Sequence, residues 1–496
     1  MISHWISGAP YRGANEGSAP VYDPGTGEAY TEVTLGDAET VNRAVSAAQA
    51  AFPAWAATPP LKRARVLFRF NALLQQHKDE LAELLSKEHG KTLPDAGGEM
   101  IRAIEVVEFA CGIPHLLKGS FSAEVSSAID AYSFRQPLGV VAGITPFNFP
   151  GMVPMWMFPI ALACGNTFIL KPSERNPTVN QRVAELLKEA GLPDGVFNIV
   201  QGGKPVVDAI LAHPAVEAIS FVGSTPVAEY IYKTGCAHNK RVQALGGAKN
   251  HMLILPDADM DQAAEALLGA GFGSAGERCM AISVAVPVGE GTAEALLERL
   301  KPMVEGLKIG HYSDPESEMG PLITGAHRDR VKGLIDEGVA AGATLVVDGR
   351  DFKSAANPEG FYLGGTLFDH VTPEMSIYTE EIFGPVLSMV RVPDYEAGVS
   401  LIHDNPYGNG VAIFTRDGDA ARDFVDRIQV GMVGVNVPIP VPVAYHSFGG
   451  WKRSLFGSHH IYGPESVHFY TKLKAVTSRW PAGIKAGASL VFPTME

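Results

Sequence analysis

The spacing of apolar residues predicts a helical first part of the chain, followed by two stretches in which strands and helices alternate. From Asp37, whose carboxylate is suited to cap a helix, the Ala-rich run to Trp55 has the period of an amphipathic helix. Further helices are predicted at Leu61–His77, Asp79–His89 and about Asp95–Cys111. On the last of them Arg102, Val106 and Phe109 share one face, because residues four and seven apart align.

Between Leu138 and Leu255, short apolar runs alternate with amphipathic stretches, which is typical of a parallel sheet with helices on both faces. The predicted strands are Leu138–Ile144, Thr167–Leu170, Val196–Val200, Ala218–Val222 and Met252–Leu255. The predicted helices between them are Met152–Cys164, Pro177–Ala190, Lys204–His213 and Thr225–Thr234.

A second alternating series predicts another α/β domain in tandem with the first. Its segments are Ile282–Pro287, Ala293–Leu307, His327–Ala341, Thr344–Val347, Val386–Val392, Gly410–Phe414, Asp419–Val430 and Met432–Val435. The predicted fold class is therefore α/β, with two doubly wound domains. Near the C-terminus, Val467–Ser478 alternates apolar and polar residues like an exposed strand, which in soluble proteins often pairs with another subunit.

Composition narrows the class of protein. The 496 residues are 46% hydrophobic and 19% charged, as in ordinary globular proteins. Lys and Arg number 40 against 54 Asp and Glu, and the formal charge of −14 argues against nucleic-acid or anionic-membrane partners. Four scattered cysteines indicate neither a metal site nor disulfides, so a reducing compartment is expected. The N-terminus lacks a signal-peptide pattern and Met152–Cys164 is too short to span a membrane, so we expect a cytoplasmic protein.

Cys279 is the candidate nucleophile. Uncrowded surroundings suit a thiol that a substrate must reach, and Arg278 is an adjacent cation that favours the thiolate. The small residues before it are Gly271, Gly273, Ser274, Ala275 and Gly276. The alternative is a buried free cysteine at a Gly/Ala-rich helix start.

Asn148 lies between two prolines, in the segment Pro-Phe-Asn-Phe-Pro that follows a predicted strand. Its amide is a rigid donor there, and together with the N–H of Cys279 it can stabilise an oxyanion. A proline-stiffened turn whose Asn bonds the local backbone is the alternative.

Three segments carry groups suited to a dinucleotide, although the fingerprint G-x-G-x-x-G is absent after the early strands. Lys171 and Glu174 follow a strand, at the sheet edge where ligands bind, and Glu174 would repel a 2′-phosphate, which favours NAD over NADP. The Gly-Ser turn at Ser224 opens a helix whose N–H groups can take a phosphate. Glu381 can hold a second ribose, with Phe383 against a flat ring. Each segment has an alternative interpretation. Lys171 and Glu174 would lie in a solvated turn, the Gly-Ser turn would be required only for steric reasons, and Glu381 would belong to a solvated pair of acids.

Six segments in order along nearly the whole chain resemble the aldehyde dehydrogenase superfamily. They are Pro-Phe-Asn-Phe-Pro, Lys-Pro-Ser-Glu, Phe-Val-Gly-Ser, Leu-Gly-Gly at 245–247, the segment around Cys279, and Glu-Ile-Phe-Gly-Pro. The resemblance implies that Cys279 is the nucleophile and Asn148 the oxyanion donor. It also implies an NAD site built from Thr145, Phe147, Lys171, Glu174, Arg175, Gly223, Ser224, Gly246, Glu381 and Phe383.

The resemblance further implies a division of the chain. Residues 1–118 and 144–250 would form the NAD-binding domain, and residues 251–440 the catalytic domain that carries Cys279. Residues 119–143 and 465–485 would form oligomerisation strands, since members of the superfamily assemble as dimers and tetramers. A homotetramer, as a dimer of dimers, is therefore expected.

One departure from the superfamily pattern concerns Ala244. Hydrolytic members carry Glu immediately before Leu-Gly-Gly, where it activates the water that releases the acyl enzyme, and here that position is Ala244. Without this base, water attack loses the roughly 10²–10⁴-fold that general-base catalysis supplies. A thiolate such as that of coenzyme A then becomes the better acceptor.

Together with Gly-Ala-Lys-Asn-His, Gly-Glu-Arg-Cys-Met and Tyr-His-Ser-Phe-Gly-Gly-Trp, this departure is similar to one subfamily, the CoA-acylating methylmalonate-semialdehyde (malonate-semialdehyde) dehydrogenases. In that subfamily two arginines bind the substrate carboxylate, and they fall on Arg102 and Arg278, whose guanidinium forks match a carboxylate. A structural ion pair of either arginine with Glu105 or Glu277 is the alternative. Two other functions remain open: a hydrolytic dehydrogenase that releases a free acid, and a catalytically silent NAD-binding protein.

Overall fold

The structure, a computed structural model, describes residues 1–14 and 16–480. Its first sheet has five parallel central strands, which lie side by side in the order Phe197–Ile199, Thr167–Lys171, Val140–Ile144, Val216–Val222 and Arg241–Leu245. In chain order these are the third, second, first, fourth and fifth, so the winding direction reverses beside Val140–Ile144. Ligands of open α/β sheets bind at such a switch point, outside the carboxyl ends of the strands.

Antiparallel strands complete both edges of this eight-stranded sheet. His4–Ile6 and Ala9–Tyr11 lie at one edge, and Leu455–Phe456 pairs with Arg241–Leu245 at the other. Along the chain, the whole second domain lies between Arg241–Leu245 and Leu455–Phe456. The first domain is therefore completed by a segment that follows the second.

Helices cover both faces of the first sheet, and alternate residues of Val140–Ile144 enter two different cores: Val141 one, Val140 and Ala142 the other. A strand buried on both faces is apolar at consecutive positions, and this is why the apolar run here predicts a strand. One face packs against Pro60–Gln76, Lys78–His89, Leu93–Cys111, Met152–Ala163 and Thr178–Glu189. The other packs against Ala38–Ala57, Lys204–Ala212 and Thr225–Ala237. Asp37 caps its helix as predicted, accepting from the N–H groups of Glu39 and Thr40.

The second sheet has seven strands, of which six are parallel. In spatial order they are Thr344–Val347, Thr366–Asp369, Val386–Met389, Ile282–Pro287, Asn250–Ile254, Gly410–Phe414 and Met432–Val435. Its helices are Met260–Phe272, Glu290–Glu305, Gly325–Ala340, Ser376–Thr379, Tyr395–Asp404 and Gly418–Arg427. The predicted α/β class, with two parallel-sheet domains, is confirmed.

A small antiparallel sheet consists of Phe121–Ser126, Ile129–Pro137 and Thr471–Arg479. The predicted strand at Val467–Ser478 begins too early, because Gly463–Phe469 is a helix that buries Val467 and Phe469. The strand Val140–Ile144 of the first sheet crosses the predicted boundary at 143/144. Of the predicted segment 465–485, residues 481–485 lie outside the described residues.

The remaining elements are short. They are the strand pairs Gly17–Asp23 with Glu28–Leu35 and Tyr407–Gly408 with Trp451–Lys452, and the 3₁₀ turns Ile113–His115 and Gly273–Gly276. Among the residues described, no helix is both long and apolar enough to cross a membrane.

Candidate active site

A cavity of about 540 Å³ lies at the switch point of the first sheet, and Cys279 from the second domain reaches into it. Loops that follow three parallel strands of the first domain form one wall, and the 379–383 segment forms another. The predicted site residues that line it are Phe147, Asn148, Gly223, Ser224, Gly246, Cys279, Glu381 and Phe383. Residues that are far apart in the chain therefore share one cavity.

Four predicted cofactor residues lie beside this cavity instead of lining it. The N–H of Thr145 donates to the carbonyl of Lys171 at 3.1 Å, and Lys171 Nζ lies 3.1 Å from Glu174 Oε2. Although burial favours the neutral acid, the charge and hydrogen bond of Lys171 hold the pKa of Glu174 below its usual value. Arg175 stacks 5.2 Å from the ring centroid of Phe147. Together they extend the cavity wall along the edge of the sheet.

Unpartnered polar groups near this wall fit a dinucleotide. Thr145 Oγ1 is buried and has no hydrogen-bond partner in the described part of the chain. Ser224 occupies the cap position of the helix Thr225–Ala237, but its side chain makes no capping bond, so helix N–H groups stay available for a phosphate. These hydroxyls and N–H groups are the donors that a pyrophosphate and a ribose require.

Glu381 faces the same cavity from the second domain. Its Oε1 accepts from the N–H of Ala248 at 3.0 Å, and burial raises its pKa to about 7. Lys249 fixes the preceding loop, since Nζ donates to the carbonyls of Ile377 and Glu380 at 2.7 Å each. The carboxylate is thus held in place by backbone contacts.

The loop that presents Cys279 begins with a strained turn. After the helix Met260–Phe272, Ser274 and Ala275 adopt left-handed backbone angles, with φ of 54° and 52°. Each such non-glycine residue costs roughly 1–2 kcal/mol. Gly276 continues the turn at φ 73°, and a Cβ there would lie 2.1 Å from the carbonyl oxygen of Gly384. The turn allows the loop to approach the 381–385 segment closely.

Two asparagines hold the main chain at Cys279. Asn250 Nδ2 and Asn409 Nδ2 donate to its carbonyl oxygen at 2.9 and 3.0 Å. Both lie at the start of neighbouring parallel strands of the second sheet. This role of the two asparagines could not be predicted from the sequence, because an Asn before an apolar run gives no signal that distinguishes it from a turn residue.

The thiol of Cys279 is partly exposed and lines the cavity, in contrast to buried Cys111 and Cys164. Burial raises its pKa to about 12, and the nearby Glu381 carboxylate contributes to the increase. Arg278 lowers the pKa as predicted, but by less than burial raises it. Arg278 therefore favours the thiolate, as predicted, but burial outweighs its effect on the pKa of Cys279.

Asn148 is buried beside Cys279, and its Nδ2 donates to the carbonyl of Glu277 at 3.0 Å. One N–H of the amide is thereby fixed. The main-chain carbonyl of Asn148 accepts from Lys91 Nζ at 2.7 Å. Lys91 also forms a fully buried ion pair with Glu99 at 2.7 Å. The other oxygen of Glu99 accepts from two N–H groups around the start of Met152–Ala163. This ion pair, which the sequence did not indicate, orients the loop that carries Asn148.

A second cavity, of about 250 Å³, also contains Cys279 in its wall, together with Arg102 and Arg278. Arg102 Nη1 pairs with Glu105 at 2.6 Å, while its Nη2 donates to the carbonyls of residues 441 and 442. Arg278 Nη2 pairs with Asp95 at 2.7 Å. Of the two structural ion pairs considered as alternatives, the one between Arg102 and Glu105 is therefore present, whereas Arg278 pairs with Asp95 and not with Glu277. The remaining lining is largely apolar and includes Phe149, Trp156, Ile439, Val441 and Phe448.

The position of the missing base is a buried one. Ala244 has no exposed surface and lies within the strand Arg241–Leu245, opposite Phe221 and Phe456. His251, farther along the chain, is uncharged at neutral pH, because burial lowers its pKa to about 3. Its Nε2 forms a hydrogen bond with the Tyr378 hydroxyl. Among the residues that the structure describes, no cluster of His, Cys, Asp and Glu could hold a metal ion.

Fold and site together define a two-domain α/β protein with a cavity at the switch point of its first sheet and a cysteine in the wall of that cavity. The chain belongs to the aldehyde dehydrogenase family, whose model matches residues 11–476. The chain is 61% identical to malonate-semialdehyde dehydrogenase from Pseudomonas aeruginosa over 482 residues, 97% of each protein.

Two solved structures are also similar. One, from Sinorhizobium meliloti, is assigned as a methylmalonate-semialdehyde dehydrogenase and was determined with NAD; it has 58% identity and a TM-score of 0.97, covering 98% of this chain and 99% of that one. The other, methylmalonate-semialdehyde dehydrogenase from Oceanimonas doudoroffii, has 58% identity and a TM-score of 0.96, covering 97% and 99%.

Proposed function

We propose that this protein is an NAD-dependent, CoA-acylating dehydrogenase that oxidises and decarboxylates malonate semialdehyde or methylmalonate semialdehyde to acetyl-CoA or propionyl-CoA. The observation that carries the proposal is the meeting of Cys279, Arg102 and Arg278 in one cavity of about 250 Å³. That space suits a small aldehyde with a carboxylate at its other end. The names of the relatives agree with this substrate class.

In the proposed reaction, Cys279 loses its thiol proton to solvent, and the thiolate attacks the aldehyde carbon while the two arginines bind the carboxylate. The Asn148 amide and the N–H of Cys279 stabilise the oxyanion that forms. NAD, when bound, supplies the acceptor for the hydride that leaves this carbon. Cys279 then carries a thioester, and the β-carboxylate departs as carbon dioxide because the thioester carbonyl delocalises the remaining electron pair. A proton from solvent adds to the resulting carbanion and completes the acetyl or propionyl group. The CoA thiolate takes the acyl group, and the thiolate of Cys279 is released.

The cofactor would lie in the switch-point cavity. We propose that Lys171 and Glu174 bind the adenosine ribose, Ser224 the pyrophosphate, and Glu381 the second ribose. Thr145, Phe147, Arg175, Gly223, Gly246 and Phe383 would complete the NAD site. Ala244 supports CoA over water as the acyl acceptor, since alanine cannot take a proton from water.

We further propose a cytoplasmic homotetramer, a dimer of dimers formed through the strands within 119–143 and 465–485. In support, Phe121 and Leu473 of this small sheet expose 66% and 61% of their surfaces, as an interface with a second copy requires. Breakdown of valine, inositol or β-alanine would supply substrates of this kind.

The test is NADH formation from malonate semialdehyde and NAD, with and without CoA, followed by identification of the product. We expect turnover that depends on CoA and yields acetyl-CoA. Cys279→Ala should abolish it, whereas Cys236→Ala, at an exposed cysteine, should not. Full turnover to a free acid without CoA would refute the role of CoA and favour a hydrolytic enzyme. Retention of activity by Cys279→Ala would refute the proposed nucleophile.

A further inference from the structure

Asp95 connects the two domains at the substrate cavity. It lies in the first turn of the helix Leu93–Cys111, in the first domain, and its Oδ1 accepts from Arg278 Nη2 at 2.7 Å. Both side chains are about one-fifth exposed, at 20% and 21%. Burial alone would raise the pKa of Asp95, but the charges of Arg278 and Lys91 hold it below its usual value. Asp95 is therefore a carboxylate at neutral pH.

The guanidinium of Arg278 also lies against Gly273. A Cβ built at residue 273 would lie 2.6 Å from Arg278 Nη1 and 2.7 Å from its Cζ, so only glycine leaves this space free. Arg278 Nε is buried and has no hydrogen-bond partner within residues 1–14 and 16–480. The guanidinium is thus held by Asp95 and packed against Gly273, while its Nε–H remains unpaired among the residues described.

Asp95 and Arg102 lie seven residues apart, about two helical turns, and so share one face of the same helix. Both line the cavity of about 250 Å³ that contains Arg278 and Cys279. One helix face therefore contributes Arg102 to the cavity directly, and contacts the other arginine through Asp95.

We propose that Asp95 is a positioning residue that fixes Arg278 for the substrate carboxylate and so sets the preference for 3-oxo acids over uncharged aldehydes. This inference rests on the proposed function. An arginine side chain loses much rotamer freedom when it is ordered, and the Asp95 contact orders it before the substrate arrives. Without Asp95, the substrate carboxylate would have to order Arg278 when it binds, and its binding would be weaker. Binding of an aldehyde without a carboxylate would not change.

The experiment compares malonate semialdehyde with propanal, an uncharged aldehyde of the same carbon number, at saturating NAD and CoA. For Asp95→Ala we expect KM for malonate semialdehyde to rise at least about tenfold, while kcat and the constants for propanal change less than about twofold. Asp95→Asn should restore part of the loss, because its amide oxygen still accepts from Arg278. Glu108→Gln, at an exposed acid of the same helix, is the matched control and should behave like the unmodified protein.

Gly273→Ala provides a second route if Asp95→Ala does not fold. It displaces the guanidinium while leaving Asp95 intact, so it should also raise KM for malonate semialdehyde selectively. An equal loss for both aldehydes, or an unchanged KM for malonate semialdehyde, would overturn the role of Asp95. Failure of the proposed function would be seen separately, as an unmodified protein that does not prefer malonate semialdehyde to propanal.

Discussion

Replacing Lys91 by methionine is expected to destabilise the protein by about 3–5 kcal/mol, because it leaves the Glu99 carboxylate buried without its counterion. Neither side chain of the pair has any exposed surface. Methionine retains the length of the lysine stem, so the loss reports on the ammonium group. We expect kcat to fall as well, since Lys91 holds the carbonyl of Asn148, the proposed oxyanion donor.

The contacts that Lys91 makes account for this magnitude. Its Nζ donates to Glu99 Oε2 and to the Asn148 carbonyl, each at 2.7 Å, and hydrogen bonds of charged groups contribute about 1.5–3 kcal/mol each. It also lies 4.2 Å from the ring centroid of Phe149, a cation–π contact of about 0.5–2 kcal/mol. Glu99→Gln added to Lys91→Met removes the uncompensated charge, so the double variant should recover more than half of the stability.

Urea unfolding, followed by tryptophan fluorescence, measures the effect in both single variants, the double variant and the unmodified protein. The double-mutant cycle isolates the coupling between Lys91 and Glu99. Lys62→Met, at an exposed lysine, is the control and should change stability by less than about 0.5 kcal/mol. A Lys91→Met protein as stable as the Lys62→Met protein, or a double variant less stable than Lys91→Met, would refute the reasoning.

Three further results are expected. Gly276→Ala should lower the melting temperature, because a Cβ would meet the Gly384 carbonyl at 2.1 Å and left-handed angles cost a non-glycine residue about 1–2 kcal/mol; an unchanged melting temperature would contradict this. Burial raises the pKa of Glu277 to about 8, so the folded state binds more protons than the unfolded state between about pH 4.5 and 8, and stability falls as pH rises. In urea titrations across this range, Glu277→Gln should reduce that slope; an identical slope would exclude Glu277 as its source. Iodoacetamide at pH 8 should alkylate exposed Cys236 before Cys279, whose raised pKa keeps it protonated, as peptide mass spectrometry would show; the reverse order would indicate a more acidic thiol.

Much of the fold could be predicted because burial on both faces produces apolar runs. Thr344–Val347 and Gly410–Phe414 were predicted with the bounds that the structure has. Arg241–Leu245 was missed, since its apolar residues are interrupted by Arg241 and Gln243. These polar side chains donate to carbonyls of residues 459–471, more than 200 positions away, and no local pattern reveals such partners.

The candidate site follows the same division. Residues in the recognised motifs, such as Asn148 and Cys279, could be named from sequence, and their functional roles remain predictions. The residues that contact and orient these motif residues could not be named from the sequence, because each contact depends on the tertiary structure. Asp95 meets Arg278 across 183 positions, and Asn409 meets the Cys279 carbonyl across 130. Only the folded chain brings these partners together.

The insertion of the second domain has a consequence for biosynthesis. The sheet of the first domain ends at Arg241–Leu245 until Leu455–Phe456 has been synthesised and can pair with it. On the ribosome, this strand therefore keeps an open edge while the whole second domain emerges. Unpaired strand edges are templates for association between chains. Nascent chains should be most prone to aggregate during this interval, and truncation before residue 455 should make the exposure permanent.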